Sequence, residues 1–257
     1  MLLAVDVGNS NTVLGLYDGE RLVASWRLTT NRTQTMDEFT LALGGLFAAR
    51  QLPATAVTGA MVASVVPPLD SMLRQALERQ FGVEALFVGP GIRTGMAIRY
   101  DSPADVGADR IVNAVAGYAA HGGPLIIVDF GTATTFDIVS GQGEYHGGII
   151  CPGIAISAEA LFARTARLPR VEIRPPERLI GNTTVGSIQS GLFYGYLSLV
   201  DGVIERLHAE LGAPVKAIAT GGLASLFMGR SRWLTAYDEL LTLEGLRLLW
   251  QRNRGPA

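Results

Sequence analysis

Asp6-Val7-Gly8-Asn9-Ser10-Asn11-Thr12 is a short string with the parts needed to hold a phosphate chain. Gly8 lets the backbone turn sharply and come close to a bulky anion. Asn9, Ser10, Asn11 and Thr12 offer side-chain and main-chain donors to phosphate oxygens. Asp6, at the end of an apolar run, can hold a hydrated magnesium ion. A single copy would read better as a polar hairpin whose Asp and Asn only satisfy turn backbone. The string is not single. Asp129-Phe130-Gly131-Thr132-Ala133-Thr134-Thr135 repeats it nearly half a chain further on. Turn chemistry alone gives no reason for that repetition, and a repeated unit of this size points to two related domains.

A third turn, Thr220-Gly221-Gly222-Leu223, follows an apolar run and precedes a short helical stretch. Paired glycines there admit a flat ligand or a close phosphate. On its own it is an ordinary strand-to-helix turn; its place after two Asp-x-Gly elements favours a nucleotide contact. Asp109 and Arg110 open a helical pattern, where an acidic residue also stabilises the helix dipole and an arginine can pair with it. Cys151, between apolar residues and Pro152, reads as a small core residue rather than a nucleophile. His121, His146 and His208 lack any zinc-ligand spacing.

Other nucleotide sites fit poorly. The sole lysine, Lys216, stands between Val215 and Ala217, so the Gly-Lys-Ser/Thr of a P-loop is missing. Gly141, Gly143 and Gly147 carry one residue too many for a dinucleotide fingerprint, and they lie in a hairpin pattern. Of the 257 residues, 48% are hydrophobic and 17% charged, enough for a sizeable core and too few charges for disorder. A net charge of −2 and the absence of a helix-turn-helix pattern argue against a nucleic-acid partner. One cysteine excludes an intrachain disulfide, the first residues lack a basic leader, and no apolar run reaches the ~18 residues of a membrane span. These features predict a cytoplasmic protein with no membrane partner.

The elements that must position these turns are legible as alternation and helical spacing. Leu2 to Val7, Thr12 to Tyr17 and Arg21 to Leu28 read as strands, with a hairpin at Asp18-Gly19. Thr35 and Glu38 form a capping box for a helix that buries Met36, Phe39, Leu43, Leu46 and Phe47. Val57 to Val66 reads as a strand closed by Pro67-Pro68, then a helix carries Leu69, Met72, Leu73, Ala76 and Leu77 to a cap at Gly82. Glu84 to Val88 is a further strand. A helix beginning near Gly107 turns Ile111, Val112, Val115 and Tyr118 inward, and Gly122-Gly123-Pro124 ends it. Leu125 to Phe130, Ala133 to Ser140 and Glu144 to Ile150 repeat the opening strands. A helix follows at 154–163.

Val185 to Leu211 is the longest helix pattern, with Ile188, Leu192, Phe193, Tyr196, Leu199, Val203 and Leu207 on one stripe. Thr183 or Thr184 can cap it. Its wide stripe predicts a homodimer with this helix at or beside the interface. Val215 to Ala219 is a strand, and Leu243, Leu246 and Trp250 share a final helix. The repeat divides the chain into a first domain at 1–115 and a second at 116–257.

The order of the three turns resembles the actin/hexokinase-like (ribonuclease H-like) ATP-binding superfamily. Its fold class is α/β: two related domains, each a mixed sheet flanked by helices, with ATP in the cleft between them. Over nearly the whole chain the resemblance is closest to the type III pantothenate kinases. It rests on Asp6 to Thr12, on Gly107-Ala108-Asp109-Arg110 with Asn113-Ala114, and on Asp129 to Thr134. Gly147 to Gly153, Gly181-Asn182-Thr183-Thr184 with Gln189-Ser190-Gly191, and Thr220-Gly221-Gly222 complete it.

The resemblance implies that ATP phosphorylates the terminal hydroxyl of pantothenate, the first step toward coenzyme A. It implies that Asp6, Val7, Gly8, Asn9, Ser10, Asn11, Thr12 and Val13 hold the ATP phosphates, Asp6 with magnesium through water, and that Thr132 does so from the second copy. Gly221 and Gly222 fall on the adenosine side. Asp109 becomes the general base, Tyr100, Gly107, Ala108 and Arg110 bind pantothenate, and Thr184 reaches it from the partner subunit of a homodimer. Asp129 becomes the site of a monovalent cation, potassium or ammonium; a second carboxylate near phosphates repels them unless a cation offsets it. Two other functions are compatible with the same fold: a kinase for another small molecule, and a regulatory protein that keeps the ATP-binding fold without catalysis.

Overall fold

A computed structural model of the chain describes residues 1–254. The chain divides into two compact units. One comprises Met1–Ala119 together with the chain from Leu240, and the other Ala120–Glu239. The expected second domain, 116–257, is therefore corrected at its end: the final helix belongs to the first unit.

The first unit is built on a five-stranded sheet in the order β3-β2-β1-β4-β5. Its strands are β1 (Leu2–Val7), β2 (Asn11–Asp18), β3 (Arg21–Thr29), β4 (Gly59–Ser64) and β5 (Ala85–Phe87). The first three pair antiparallel, while β4 and β5 add in parallel. On one face Leu3, Val5, Leu14, Leu16 and Val62 meet Phe39, Leu43 and Phe47 of α1 (Met36–Ala49), and Leu69, Leu73 and Leu77 of α2 (Pro67–Phe81). The capping box of α1 forms as expected, with Thr35 Oγ1 accepting from Glu38 N and Glu38 Oε2 accepting from Thr35 N. Gly82, at φ 68°, ends α2.

Strand β4 is shorter than its apolar run. Its register with β1 ends at Ser64, and Pro67 and Pro68 serve as the first turn of α2, where a missing N–H costs nothing. The opposite face of the sheet takes α6 (Leu241–Asn253). Glycines open the way: a Cβ on Gly59 would lie 2.2 Å from the Trp250 ring, and one on Gly15 2.9 Å from Leu243. The helix α3 (Ala108–His121) packs beside α6, with Thr242 Oγ1 donating to Asn113 Oδ1 at 2.7 Å. Ile111, Val112 and Val115 are buried as expected; Tyr118 is only half-buried.

The second unit repeats the plan, in the order β10-β9-β6-β7-β8. Here β6 (Leu125–Phe130), β7 (Ala133–Val139) and β8 (Tyr145–Pro152) are antiparallel, with β9 (Lys216–Thr220) and β10 (Leu234–Tyr237) parallel to β6. Two helices, α4 (Ile154–Ala163) and α5 (Thr184–Leu211), belong to this unit. Ile188, Leu192, Phe193, Val200 and Ile204 of α5 fill its core against Ile126, Val128 and Phe136. Phe193 is thus spent within its own unit, and it does not serve as the sign of an interface that the sequence suggested. No helix among the described residues is long and apolar enough to cross a membrane.

Candidate functional site

In the first unit, β1 delivers Asp6 to its C-terminal end, half-buried among buried neighbours. The chain reverses at residues 8–11, where Gly8 N donates to Asn11 O at 3.0 Å. A Cβ on Gly8 would stand 3.1 Å from that same oxygen, so the turn is tight but not sealed. Asn9, Ser10 and Asn11 are exposed, Val13 is half-buried, and Thr12 is buried with its hydroxyl 2.9 Å from that of Thr30. Thr30 N also donates to Ser10 O. The segment after β3 therefore braces the turn, and it brings a residue that the sequence reading passed over. Arg32 donates to Asn9 Oδ1 at 2.7 Å, which places a guanidinium at a phosphate-type turn. The polar run Thr30-Asn31-Arg32-Thr33 was the available signal.

The first turn of α3 carries Asp109. Its Oδ1 accepts from Arg110 N at 2.8 Å. Gly107 makes room for this fold-back, since a Cβ there would lie 2.6 Å from Asp109 Oδ1. Burial pushes the Asp109 carboxyl above the usual range, opposed by the Arg110 amide and the Arg110 charge. Arg110 is buried and Tyr100 is 40% exposed.

A cavity of about 690 Å³ opens beside Gly107 and Ala108. Val65, Val88, Ile92, Ile98, Val106 and Ile111 give it a mostly apolar wall, with Ser64, Thr94 and Asp105 as polar points. Gly107 and Ala108 of the expected substrate residues line it, whereas Tyr100, Asp109 and Arg110 are not among its walls.

In the second unit, β6 ends in Asp129 and Phe130, and Gly131 N donates to Ala133 O at 3.0 Å. This turn is one residue shorter than the first, where Gly8 N reaches Asn11 O. Gly221 has φ 89° and its Cα is pressed against the Asp129 carboxylate: a Cβ would lie 2.4 Å from Oδ1. Gly222 is exposed. Thr132, half-buried, accepts through its carbonyl from Gly153 N at 3.1 Å, and a Cβ on Gly153 would collide with that carbonyl at 2.2 Å. Below the turns the rings of Phe130, Phe227 and Phe193 stack at 4.8 and 5.7 Å between centroids. That stack ties the second Asp-x-Gly turn to the segment after Gly222 and to α5.

At the start of α5, the cap is Thr183, whose hydroxyl accepts from Gly186 N at 3.0 Å. Thr184 is exposed and its hydroxyl is left to other work. Leu179, Ile180 and Val185 are exposed nearby, Ile180 by 84%. Among the described residues, no three His, Cys, Asp or Glu side chains form a metal-binding group.

Residues 2–206 match the family model described as type III pantothenate kinase. A type III pantothenate kinase of Anaeromyxobacter sp. (strain Fw109-5) is 56% identical over 254 residues, covering 99% of this chain and 100% of that protein. Among solved structures, a conserved putative Baf family transcriptional activator from Campylobacter jejuni aligns with a TM-score of 0.61 at 22% identity, covering 98% of each chain. A ROK family glucokinase from Streptomyces griseus, in complex with glucose and AMPPNP, aligns with a TM-score of 0.53 at 13% identity, covering 96% of this chain and 98% of that one. Likeness at these identities speaks for the fold, which is that of the actin/hexokinase-like kinases.

Proposed function

The chain belongs to the type III pantothenate kinase family, and on that premise we propose that it transfers the γ-phosphoryl group of ATP to the terminal hydroxyl of pantothenate. The observation that carries this reading is the placement of Asp109. Its carboxyl, raised by burial, lies against Gly107, and Gly107 lines a mostly apolar cavity of about 690 Å³, within the range of small-molecule sites.

The reaction forms one bond and breaks one. The hydroxyl oxygen bonds to the γ-phosphorus, the bridging P–O bond breaks, ADP leaves, and the hydroxyl proton passes to an Asp109 carboxylate oxygen. The transition state is loose, so the proton departs late and a well-placed carboxylate suffices. Arg110 and Tyr100, outside the cavity wall, are assigned to the acceptor by the family resemblance, and Ile98, Val106 and Ile111 of the wall would shelter its aliphatic part from water.

In the first unit, the backbone amides and side chains from Asp6 to Val13 take phosphate oxygens. Arg32 adds positive charge beside Asn9. In the second unit, Thr132 does the same, and the glycine pair Gly221-Gly222 lets the adenosine part approach the backbone. Asp6 fits a magnesium ion, which takes one or two carboxylates and completes its shell with water and phosphate. Asp129 fits a monovalent cation, because Gly131 and Gly221 put no side chain against its carboxylate. These ions would supply neutralisation of phosphate charge. Thr184 serves the partner's acceptor in a homodimer, a role supported by its exposure and by the exposed apolar residues around it.

The test is ADP release with pantothenate, against a panel of sugars and hydroxy acids, with the product identified by mass spectrometry. Phosphopantothenate as the single product supports the reading. Phosphorylation of a sugar, with none of pantothenate, overturns the substrate. A protein inert toward all of them but retaining ATP binding would be regulatory.

A further inference from the structure

Asp129 is flanked on its own face of the sheet by a threonine from each neighbouring strand. Thr135 of β7 is its antiparallel register partner, and Thr220 of β9 its parallel one. Directly opposed side chains in a sheet lie about 4.5–5.5 Å apart at Cβ. Two hydroxyl oxygens therefore stand on either side of one carboxylate, next to the close approach of Gly221.

The first copy of the repeat differs at this point. There Asp6 is paired with Val13 of β2 and Ala63 of β4, neither of which carries a hydroxyl. The Thr135 hydroxyl donates to Asp137 Oδ2 at 3.2 Å. Asp137 is fully buried, held by Tyr145 OH at 2.8 Å, and its register equivalent in the first copy is Gly15. A carboxyl in the middle of a buried strand is costly and needs a reason. A hydroxyl has a single hydrogen. Once Asp137 holds it, the lone pairs of Thr135 Oγ1 remain as acceptors and cannot rotate away.

We propose that Thr135, with its hydrogen fixed by Asp137, is an oxygen ligand of the monovalent cation beside Asp129, and that Thr220 supplies the matching hydroxyl from β9. The inference rests on the assignment of that cation to Asp129 and adds the donors that assignment lacks. It also accounts for the difference between the copies. A weakly hydrated monovalent ion is best held by one carboxylate and several neutral oxygens, which the second turn has and the first, where Asp6 is flanked by Val13 and Ala63, does not.

The experiment uses the full chain and two readouts that do not need turnover. One is the affinity for a non-hydrolysable ATP analogue by calorimetry, and the other is the shift in melting temperature, both titrated with KCl against choline chloride. Wild type should bind the analogue more tightly as potassium rises. Thr135→Val keeps the shape and β propensity and removes the oxygen; it should raise the half-saturating potassium at least tenfold. Thr135→Ser restores the oxygen and should return it to near the wild-type value. It also keeps the test open should Thr135→Val misfold. Asp129→Asn should abolish the potassium response. If wild type ignores potassium, the cation assignment fails and this inference fails with it. If Asp129→Asn abolishes the response while Thr135→Val titrates like wild type, the cation stands and Thr135 is not its ligand.

Discussion

A methyl group on Gly221 would stand 2.4 Å from Asp129 Oδ1 and 2.7 Å from the nitrogen and carbonyl carbon of Phe130. Two of those three contacts are backbone, so they cannot yield as a flexible side chain would. The φ of 89° adds strain for any residue with a Cβ. Gly221→Ala must therefore push the third turn away from the second. We expect a loss of kcat of about 100-fold or more through misplaced groups. The apparent affinity for ATP and for potassium should weaken together. Steady-state kinetics on a folded Gly221→Ala protein checks this; wild-type potassium dependence would show that the two turns act separately.

Thr183 and Thr184 are neighbours with separable duties. Thr183 caps the 28-residue helix α5, and loss of such a cap costs about 1 kcal/mol. Thr183→Ala should lower stability by about that amount in urea, with the apparent pantothenate affinity unchanged. Thr184→Val should do the reverse, leaving stability within about 0.5 kcal/mol and weakening pantothenate. A substrate effect at Thr183 and none at Thr184 would transfer the binding role to the cap.

Much of this was legible in the sequence, and the remainder has physical causes. The repeated Asp-x-Gly strings predicted two sheets of the same plan, and Thr35 with Glu38 located a helix start that the structure reproduces. Strand β10 escaped because four residues, Leu234–Tyr237, are too few to show alternation, and its register is broken by a bulge. It was deducible only from symmetry with β5. The return of α6 to the first unit left no mark, since its apolar stripe states that it packs but not on which sheet. At the site, local strings gave the turns. They could not give Arg32 on Asn9 or the seat of Gly221 on Asp129, because each joins residues distant in sequence. The raised carboxyl of Asp109 was hidden for the same reason: desolvation belongs to the packed unit rather than to the residue.

Assembly is testable from the exposed apolar residues before and at the start of α5. Leu179 is 64% and Ile180 84% exposed, beside Val185. We expect a homodimer by light scattering, with Ile180→Asp shifting it toward monomer and weakening pantothenate through loss of the partner's Thr184. A wild-type monomer with full activity would rule out both the dimer and the shared site.

The last prediction concerns Asp109 and separates catalysis from helix capping. Its folded-state carboxyl is raised, chiefly by burial. A base must be ionised, so activity should fall as pH drops through that raised value, above the ~3.9 of an ordinary aspartate. The stability sign is the opposite. A raised folded pKa contributes stability below the unfolded pKa, and that contribution is lost as pH rises through the folded one. Ionised Asp109 is therefore a cost at neutral pH that Asp109→Asn removes. The amide oxygen still accepts from Arg110 N, so the geometry at the helix start is kept. Asp109→Asn should then be as stable as wild type or more so at pH 7, with the difference vanishing in acid. Its kcat should fall by roughly 10²–10⁴, with a smaller change in pantothenate affinity, and the acid limb of the pH profile should disappear. A residue that only served the helix dipole would behave otherwise. Its loss would lower stability at pH 7 by about 0.3–1 kcal/mol and leave kcat nearly intact. Turnover, its pH profile and urea stability at two pH values, measured on the same preparation, distinguish the two. Near-normal turnover in Asp109→Asn would remove the base from Asp109.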